Sequence, residues 1–296
     1  MKIIEFRVLI PISLAKFQIA KRFINLQYIK DLGGDGEGIE LIKNEEPFEN
    51  ENEKGYLTEK VYHVKSKIPG FIRWAVPDKY LHFYETSYNA FPHTTTINSI
   101  PPLGDDFILK VESQHMDANV DFNKDSGENS FIIPDNVMNL PDNELKERKI
   151  VYIDILNGPA SSSNYTDDGN ETEVQKKTRS GIRDFVCPEI GLNEPLGKFD
   201  PTTNYNPEKI PAWAKKYNGE MALIVKVVHF HLKWFGLQTA VEKLVSSTFY
   251  PKLFTEVHRK IILSSTQWKS LTIEDIKNEE ERIKNEQKNE DTFVQD

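Results

Sequence analysis

Residues 221 to 238 read MALIVKVVHFHLKWFGLQ, and no other stretch limits the fold as strongly. Its alternation is partial, which suits a long strand in the middle of a sheet. Neither this run nor any other approaches the ~18 uninterrupted apolar residues of a membrane span. The rest of the 296 residues can support such a sheet, because 38% are hydrophobic and 11% aromatic. Cys187 stands alone, which excludes an internal disulfide framework and a thiolate zinc site. Packing must then hold the fold, as expected in a reducing compartment. The opening MKIIEFRVLIPISLAKF is broken by polar residues too often for a secretory signal, so a cytoplasmic address is expected. Asn164 and Asn170 open glycosylation sequons that read as chance in that setting. A formal net charge of −9 argues against a nucleic-acid surface and against strong electrostatic anchoring to anionic lipid.

Residues 2 to 10 are expected to form a strand, followed by a helix from Ser13 as N-cap, with Leu14, Phe17, Phe23 and Ile24 on its apolar stripe. A glycine turn, a short strand and a solvated acidic loop at 44 to 54 come next. Further strands are expected at about 57 to 66, 80 to 87, 91 to 98, 106 to 114 and 149 to 155, in a meander rather than βαβ units. Residues 116 to 146 and 156 to 220 are rich in turn formers and read as long loops. After the long strand, apolar residues from Val241 to Ile262 keep helical spacing, with Pro251 placed to kink or split the helix. Thr272 then caps a charged surface helix that carries seven acidic and three basic residues between 278 and 296. The elements together suggest an α+β chain whose sheet curves around a helix.

Motifs for nucleotide binding, serine hydrolysis and zinc proteolysis are absent from the sequence. His229 and His231 alternate on the long strand and share a face, but no carboxylate or thiol lies at ligand spacing, so no metal is expected. Cys187 lies before Pro188 without an activating neighbour and reads as structural. Two features stand out. Thr58 and Lys60 share one strand face in KGYLTEKVYH; that face is either solvent or an interior where the lysine needs a partner. Trp234-Phe235-Gly236 ends the long strand, where two apolar rings either pack as a corner or dip into a bilayer interface.

At these residues the chain resembles the class I phosphatidylinositol transfer proteins. The likeness is carried by FRVLIPIS, GGDGEGIELIKNEEPFE, EKGYLTEKVYHVKSKIP, ETSYNAFPHTTT, DDFILKVES, VYIDI, KWFGLQTAVEK and LFTEVHRKIILSSTQWKSLTIEDIKNEEE, collinear along nearly the whole length. The resemblance implies an α+β helix-grip fold of the START-like kind: one domain over 1–296, with a long regulatory or lid region at 156–220 and a charged helix and tail at 272–296. It also implies a carrier rather than an enzyme, without cofactor, that encloses one phospholipid and moves it between membranes as a monomer. Phosphatidylinositol is the expected cargo, phosphatidylcholine the candidate second cargo and a lipid kinase the candidate partner. The alternative is a START-like sensor that presents phosphatidylinositol to a kinase without bulk transfer.

By the same resemblance, inositol contacts fall on Thr58, Lys60, Asn89 and Glu280, and phosphate or lipid-lining positions on Lys226, Thr96, Ser113, Lys21 and Thr94. Trp234 and Phe235 take the membrane-docking positions. Thr94 replaces a cysteine of the family and Lys21 a glutamine near the choline site, which sets secondary phosphatidylcholine binding in question. A regulatory serine aligns with Gln175. Spacing alone leaves Glu280 free to pair with Lys284 one turn on, as an exposed helix pair.

The physics of carriage demands such parts. Each buried methylene is worth ~0.8 kcal/mol, so two chains of ~30 methylenes anchor a lipid by roughly 20 kcal/mol. A carrier must match that apolar environment and open only at a membrane. Each headgroup hydroxyl buried without a partner would cost ~1 to 3 kcal/mol, so donors and acceptors must stand ready for it.

Overall fold

The computed structural model describes residues 1–31, 38–49, 54–63, 76–159, 181–202 and 204–293. The two sequons, Gln175, the tip of the acidic loop at 50–53 and the expected end of a strand at 64–66 lie outside them.

The first strand, β1 (Lys2–Ile10), is buried along all but its first residue, as its apolar run requires. The helix α1 (Leu14–Asp31) follows and buries Phe17, Ala20, Phe23 and Ile24. Its free Leu14 N–H donates to Asp117 Oδ1 at 3.2 Å, so the side chain serving this end comes from a distant strand rather than from Ser13. Next come β2 (Gly38–Glu49), β3 (Lys54–His63), β4 (His82–Ala90), β5 (His93–Ser99) and β6 (Phe107–Asp117), an antiparallel meander. Residues 44 to 49, expected in a loop, pair as strand through two register shifts in β2, because the ladder continues past the bulges.

The stretch expected as a loop at 116 to 146 holds a hairpin, β7 (Val120–Asn123) and β8 (Glu128–Phe131), and a short helix, α2 (Asp142–Glu147). The hairpin is docked by Asn129 Nδ2, which donates to the carbonyls of Ala214 and Tyr217. After β9 (Lys149–Ile153), residues 181 to 220 include α3 (Ala212–Lys216) and place Ile182, Ile190, Leu192, Leu196 and Trp213 in the main core. Cys187 is buried there, its thiol 3.4 Å from Glu189 Oε2.

The long strand, β10 (Ala222–Leu232), lies between β6 and β1 in an eight-stranded sheet of order β2-β3-β4-β5-β6-β10-β1-β9. Among the described residues only β1 and β9 pair in parallel. β10 stops at Leu232, short of Gln238, because Gly236 has φ +79 and turns the chain. Then α4 (Gln238–Leu244) runs through a π turn at Val245–Phe249 into α5 (Tyr250–Leu263). Pro251 lies at the start of α5, and the wider turn just before it accommodates the lost N–H, so proline breaks the helix where expected. A short α6 (Ser265–Trp268) leads to α7 (Ile273–Phe293). Thr272 Oγ1 accepts from Asp275 N at 3.1 Å, while Asp275 Oδ2 accepts from Thr272 N at 2.7 Å, a reciprocal cap. The sheet is curved and not closed, with helices gripping it: a START-like helix-grip fold.

Candidate functional site

Residues directly opposite in neighbouring strands share a face, so strand register defines the lining. One row across the sheet is Tyr56, Asn89, Thr94, Ser113, Lys226 and Phe6. Two residues along lies a second, Thr58, Ser87, Thr96, Val111, Val228 and Ile4; a third begins with Lys60, Glu85 and Asn98. All three rows face one side. In the second row the hydroxyls belong to β3, β4 and β5, and the aliphatic residues to β6, β10 and β1. α5 covers the same side, with Phe254 edge-on to Phe6 at 5.1 Å and Tyr250 at 6.1 Å.

Every inner-face residue singled out from the sequence therefore falls in one band. Thr58, Thr94 and Ser113 are buried, whereas Lys60, Asn89 and Thr96 are half-buried. Lys60 Nζ is 3.6 Å from Glu85 Oε1. Glu85 also accepts from Tyr62 Oη at 3.1 Å and from Ser87 Oγ at 3.3 Å, and Ser87 Oγ lies 3.0 Å from Thr96 Oγ1. The lysine thus does have an interior partner. Sequence reasoning missed Glu85, Ser87 and Tyr62; alternation along β4, which puts Glu85, Ser87 and Asn89 on one face, was the available signal. Burial and the Glu85 carboxylate push the Tyr62 hydroxyl well above its ordinary range.

Lys226 Nζ donates to Ser113 Oγ at 3.1 Å and stands 5.3 Å from the Phe254 ring. Burial lowers its pKa to about 8. On α1, Lys21 is lowered to about 7, by burial first and then by the charges of Lys226 and Arg22. Among the described residues no carboxylate is in ion-pair reach of either lysine. Phe17, one turn before Lys21, lies between two imidazoles: His115 at 5.3 Å, and His258 stacked at 6.1 Å. Burial drives His258 to about 3 and His115 well below its ordinary value, so neither supplies or removes charge near neutrality. Among the described residues, the interior beside Lys226 therefore holds two amines of lowered pKa and no carboxylate in ion-pair reach of either.

Glu280 comes from α7. Its Oε2 accepts from Arg22 Nη2 at 2.7 Å with both side chains largely buried, so it is not an exposed helix pair. The Arg22 guanidinium and the Lys277 ammonium both stand 5.8 Å from the Tyr56 ring, which ties α1 and α7 to the edge of the inner face near Asn89 and Thr58.

The aromatic pair divides. Trp234 packs edge-on to Tyr80 at 4.9 Å, beside a small core of Phe107, Phe230 and Leu232. Phe235 is fully exposed. His229 faces the other side of the sheet, with Nε2 2.9 Å from Glu144 and Nδ1 3.7 Å from Glu112. These carboxylates are remote in sequence, so local spacing could not reveal them. Among the described residues no group of three or more histidine, cysteine, aspartate or glutamate side chains is arranged to hold a metal ion.

A curved sheet with a polar band on its inner face, gripped by helices, defines a helix-grip protein of the START-like class. The chain belongs to the phosphatidylinositol transfer protein family, whose profile matches residues 1–185 and 192–285. It is 32% identical to the phosphatidylinositol transfer protein beta isoform of Rattus norvegicus, across 95% of this chain and 92% of that one. Phosphatidylinositol transfer protein 2 of Dictyostelium discoideum is 29% identical across 97% and 95%. Protein retinal degeneration B of Drosophila melanogaster is 26% identical over 94% of this chain, which corresponds to 20% of its own length. The family is one of lipid transfer proteins, not of enzymes.

Proposed function

We propose that this protein binds one phosphatidylinositol molecule against the inner face of its sheet and transfers it between membranes. The observation that carries the reading is the band itself: hydroxyl, amide and charged side chains gather on the β3, β4 and β5 part of the inner face and reach across it through Ser113 and Lys226, beside the apolar Val111, Val228, Ile4 and Phe6. That division suits an amphiphile with a polyhydroxylic head. Thr58 and Asn89 can each donate and accept, Lys60 donates, and Glu280 accepts, which matches ring hydroxyls and offers a choline head little. The phosphate belongs beside Lys226 and Lys21, where an anion would relieve their repulsion. Thr96, Ser113 and Thr94 line the path between head and phosphate. Removing any one leaves buried groups of the lipid unpaired, at ~1 to 3 kcal/mol each.

Docking falls to Trp234 and Phe235, with Phe235 entering the bilayer interface and Trp234 holding the turn. No helix among the described residues is long and apolar enough to cross a membrane. In this reading a cytoplasmic monomer touches a membrane surface transiently, through the exposed ring of Phe235. Delivery to a lipid kinase is compatible with transfer, and the relatives' names give a sensor without transfer no separate support.

The test is transfer of labelled phosphatidylinositol and phosphatidylcholine between two vesicle populations, for wild type, Thr58→Ala and Lys60→Ala. Selective loss of phosphatidylinositol transfer in the variants is expected. Equal transfer of both lipids, indifferent to either substitution, would overturn the assignment.

A further inference from the structure

Phe17 and Lys21 stand one turn apart on α1 and share a face of that helix. Phe17 rests on His115 of β6 at 5.3 Å and stacks on His258 of α5 at 6.1 Å. Two residues before His115, on the same face of β6, Ser113 Oγ accepts from Lys226 Nζ at 3.1 Å. Half-buried Lys21 is thereby brought towards Lys226, and the charges acting on it, those of Lys226 and Arg22, are both of its own sign. Along β10 only Lys226 and His231 are not fully buried. Lys226 Nζ lies 5.3 Å from the Phe254 ring of α5, so the surface it keeps opens between sheet and helices.

The other titratable groups around Lys21 are engaged elsewhere. His115 Nδ1 lies 2.6 Å from the Pro92 carbonyl oxygen and His258 Nδ1 2.6 Å from that of Phe254, so each ring donates from Nδ1, and burial keeps both neutral. Glu280 of α7 holds Arg22, while Lys277 lies over Tyr56 and Lys260 of α5 over Tyr28. Asp117 accepts from the Leu14 N–H at the start of α1, and α6 brings no titratable side chain. An ammonium held beside a second one between helix and sheet loses hydration and meets repulsion. A phosphate within hydrogen-bond reach reverses both effects, because it favours the charged amine.

We propose that capture of phosphatidylinositol is coupled to proton uptake: the Lys21 amine takes a proton from solvent as the lipid phosphate comes to rest beside it, and returns that proton when the lipid leaves. This rests on the phosphate placement proposed above. Affinity for the lipid then falls as pH rises above neutrality. An arginine at position 21 would hold the phosphate without the coupling, because a guanidinium keeps its proton.

The experiment is calorimetric titration of the full chain, freed of lipid, with phosphatidylinositol vesicles at pH 6 and pH 8, each in two buffers of different ionisation enthalpy. The difference in heat between buffers counts protons. With Lys21 at about 7 and Lys226 at about 8, wild type is expected to take up about one to one and a half protons per lipid at pH 8, and no more than about 0.2 at pH 6. Lys21→Arg should still bind and should take up about half a proton at pH 8, from Lys226 alone. Binding heat independent of buffer at pH 8 would overturn the proposal, as would a Lys21→Arg chain that takes up as many protons as wild type. The wild-type comparison of pH 6 with pH 8 needs no variant, so misfolding of a substituted chain cannot mask the answer. Absence of phosphatidylinositol binding at both pH values would instead overturn the lipid assignment, and this coupling with it.

Discussion

Arg22 Nη2 on α1 and Glu280 Oε2 on α7 meet at 2.7 Å, joining two helices whose sequences lie at opposite ends of the chain. Both groups are largely buried, so the pair is screened less than a surface ion pair. A double-mutant cycle with Arg22→Met and Glu280→Gln is expected to show a coupling of about 1 to 2 kcal/mol in chemical denaturation. Glu280→Gln should also speed release of bound lipid, measured as loss of fluorescent phosphatidylinositol to acceptor vesicles. Additive effects of the two substitutions would show that the helices are held by other contacts.

Trp234 and Phe235 should separate by experiment as they do in space. Trp234→Ala removes a ring packed on Tyr80 and should cost about 1 to 3 kcal/mol of stability. Phe235→Ala removes a fully exposed ring and should change stability by no more than about 0.5 kcal/mol. Vesicle co-sedimentation and transfer should nevertheless fall with Phe235→Ala. Unchanged transfer in that variant would remove Phe235 from the docking role.

Lys21 and Lys226 hold protons less tightly in the native protein than in the unfolded chain, at about 7 and about 8 against 10.5. The unfolded state therefore binds more protons between those values and about pH 10.5, and stability contributed by these groups rises with pH across that window. At pH 7 the empty protein carries most of the penalty. Lys226→Met should then be more stable than wild type at pH 7, by roughly 1 to 3 kcal/mol, with the difference shrinking towards pH 10. Phosphatidylinositol transfer should fall in the same variant.

His258 titrates in the opposite pH range. Its native pKa of about 3 against 6.5 means that stability falls as pH drops through 6.5 towards 3, by up to about 1.4 kcal/mol per pH unit. His258→Phe keeps the stack on Phe17 and should flatten that acid limb. Denaturant midpoints from pH 7 to pH 4 would show it.

Gly55 tests how closely β3 must approach β4. A Cβ there would stand 2.1 Å from the Asn89 carbonyl oxygen, a backbone atom that cannot swing aside. Gly55→Ala should cost about 2 kcal/mol or more and displace Asn89, so phosphatidylinositol transfer should fall beyond what stability explains.

Much of this was legible in the chain. β1 and β10 announced themselves because both faces are buried, and a strand buried on both faces must be apolar almost throughout. Pro251 and Thr272 acted where expected, since ring geometry and a capping hydroxyl work locally. Thr58 and Lys60 shared a face by alternation alone. The hairpin of β7 and β8 was not legible, because its short polar strands are held by Asn129 on carbonyls more than eighty residues away.

The sequence by itself determined most strands of the main sheet, the proline and cap breaks near its C-terminal helices and the absence of a nucleophile motif, because propensity, period and chemistry are properties of neighbouring residues. Only the tertiary structure decided that Glu85 partners Lys60, that Arg22 takes Glu280, and that Lys21 faces Lys226 with no carboxylate of the described residues in ion-pair reach. Those relationships depend on strand register and helix docking, which are fixed by burial of the whole core. Charge and hydrogen-bonding partners remote in sequence are chosen only after that core has formed.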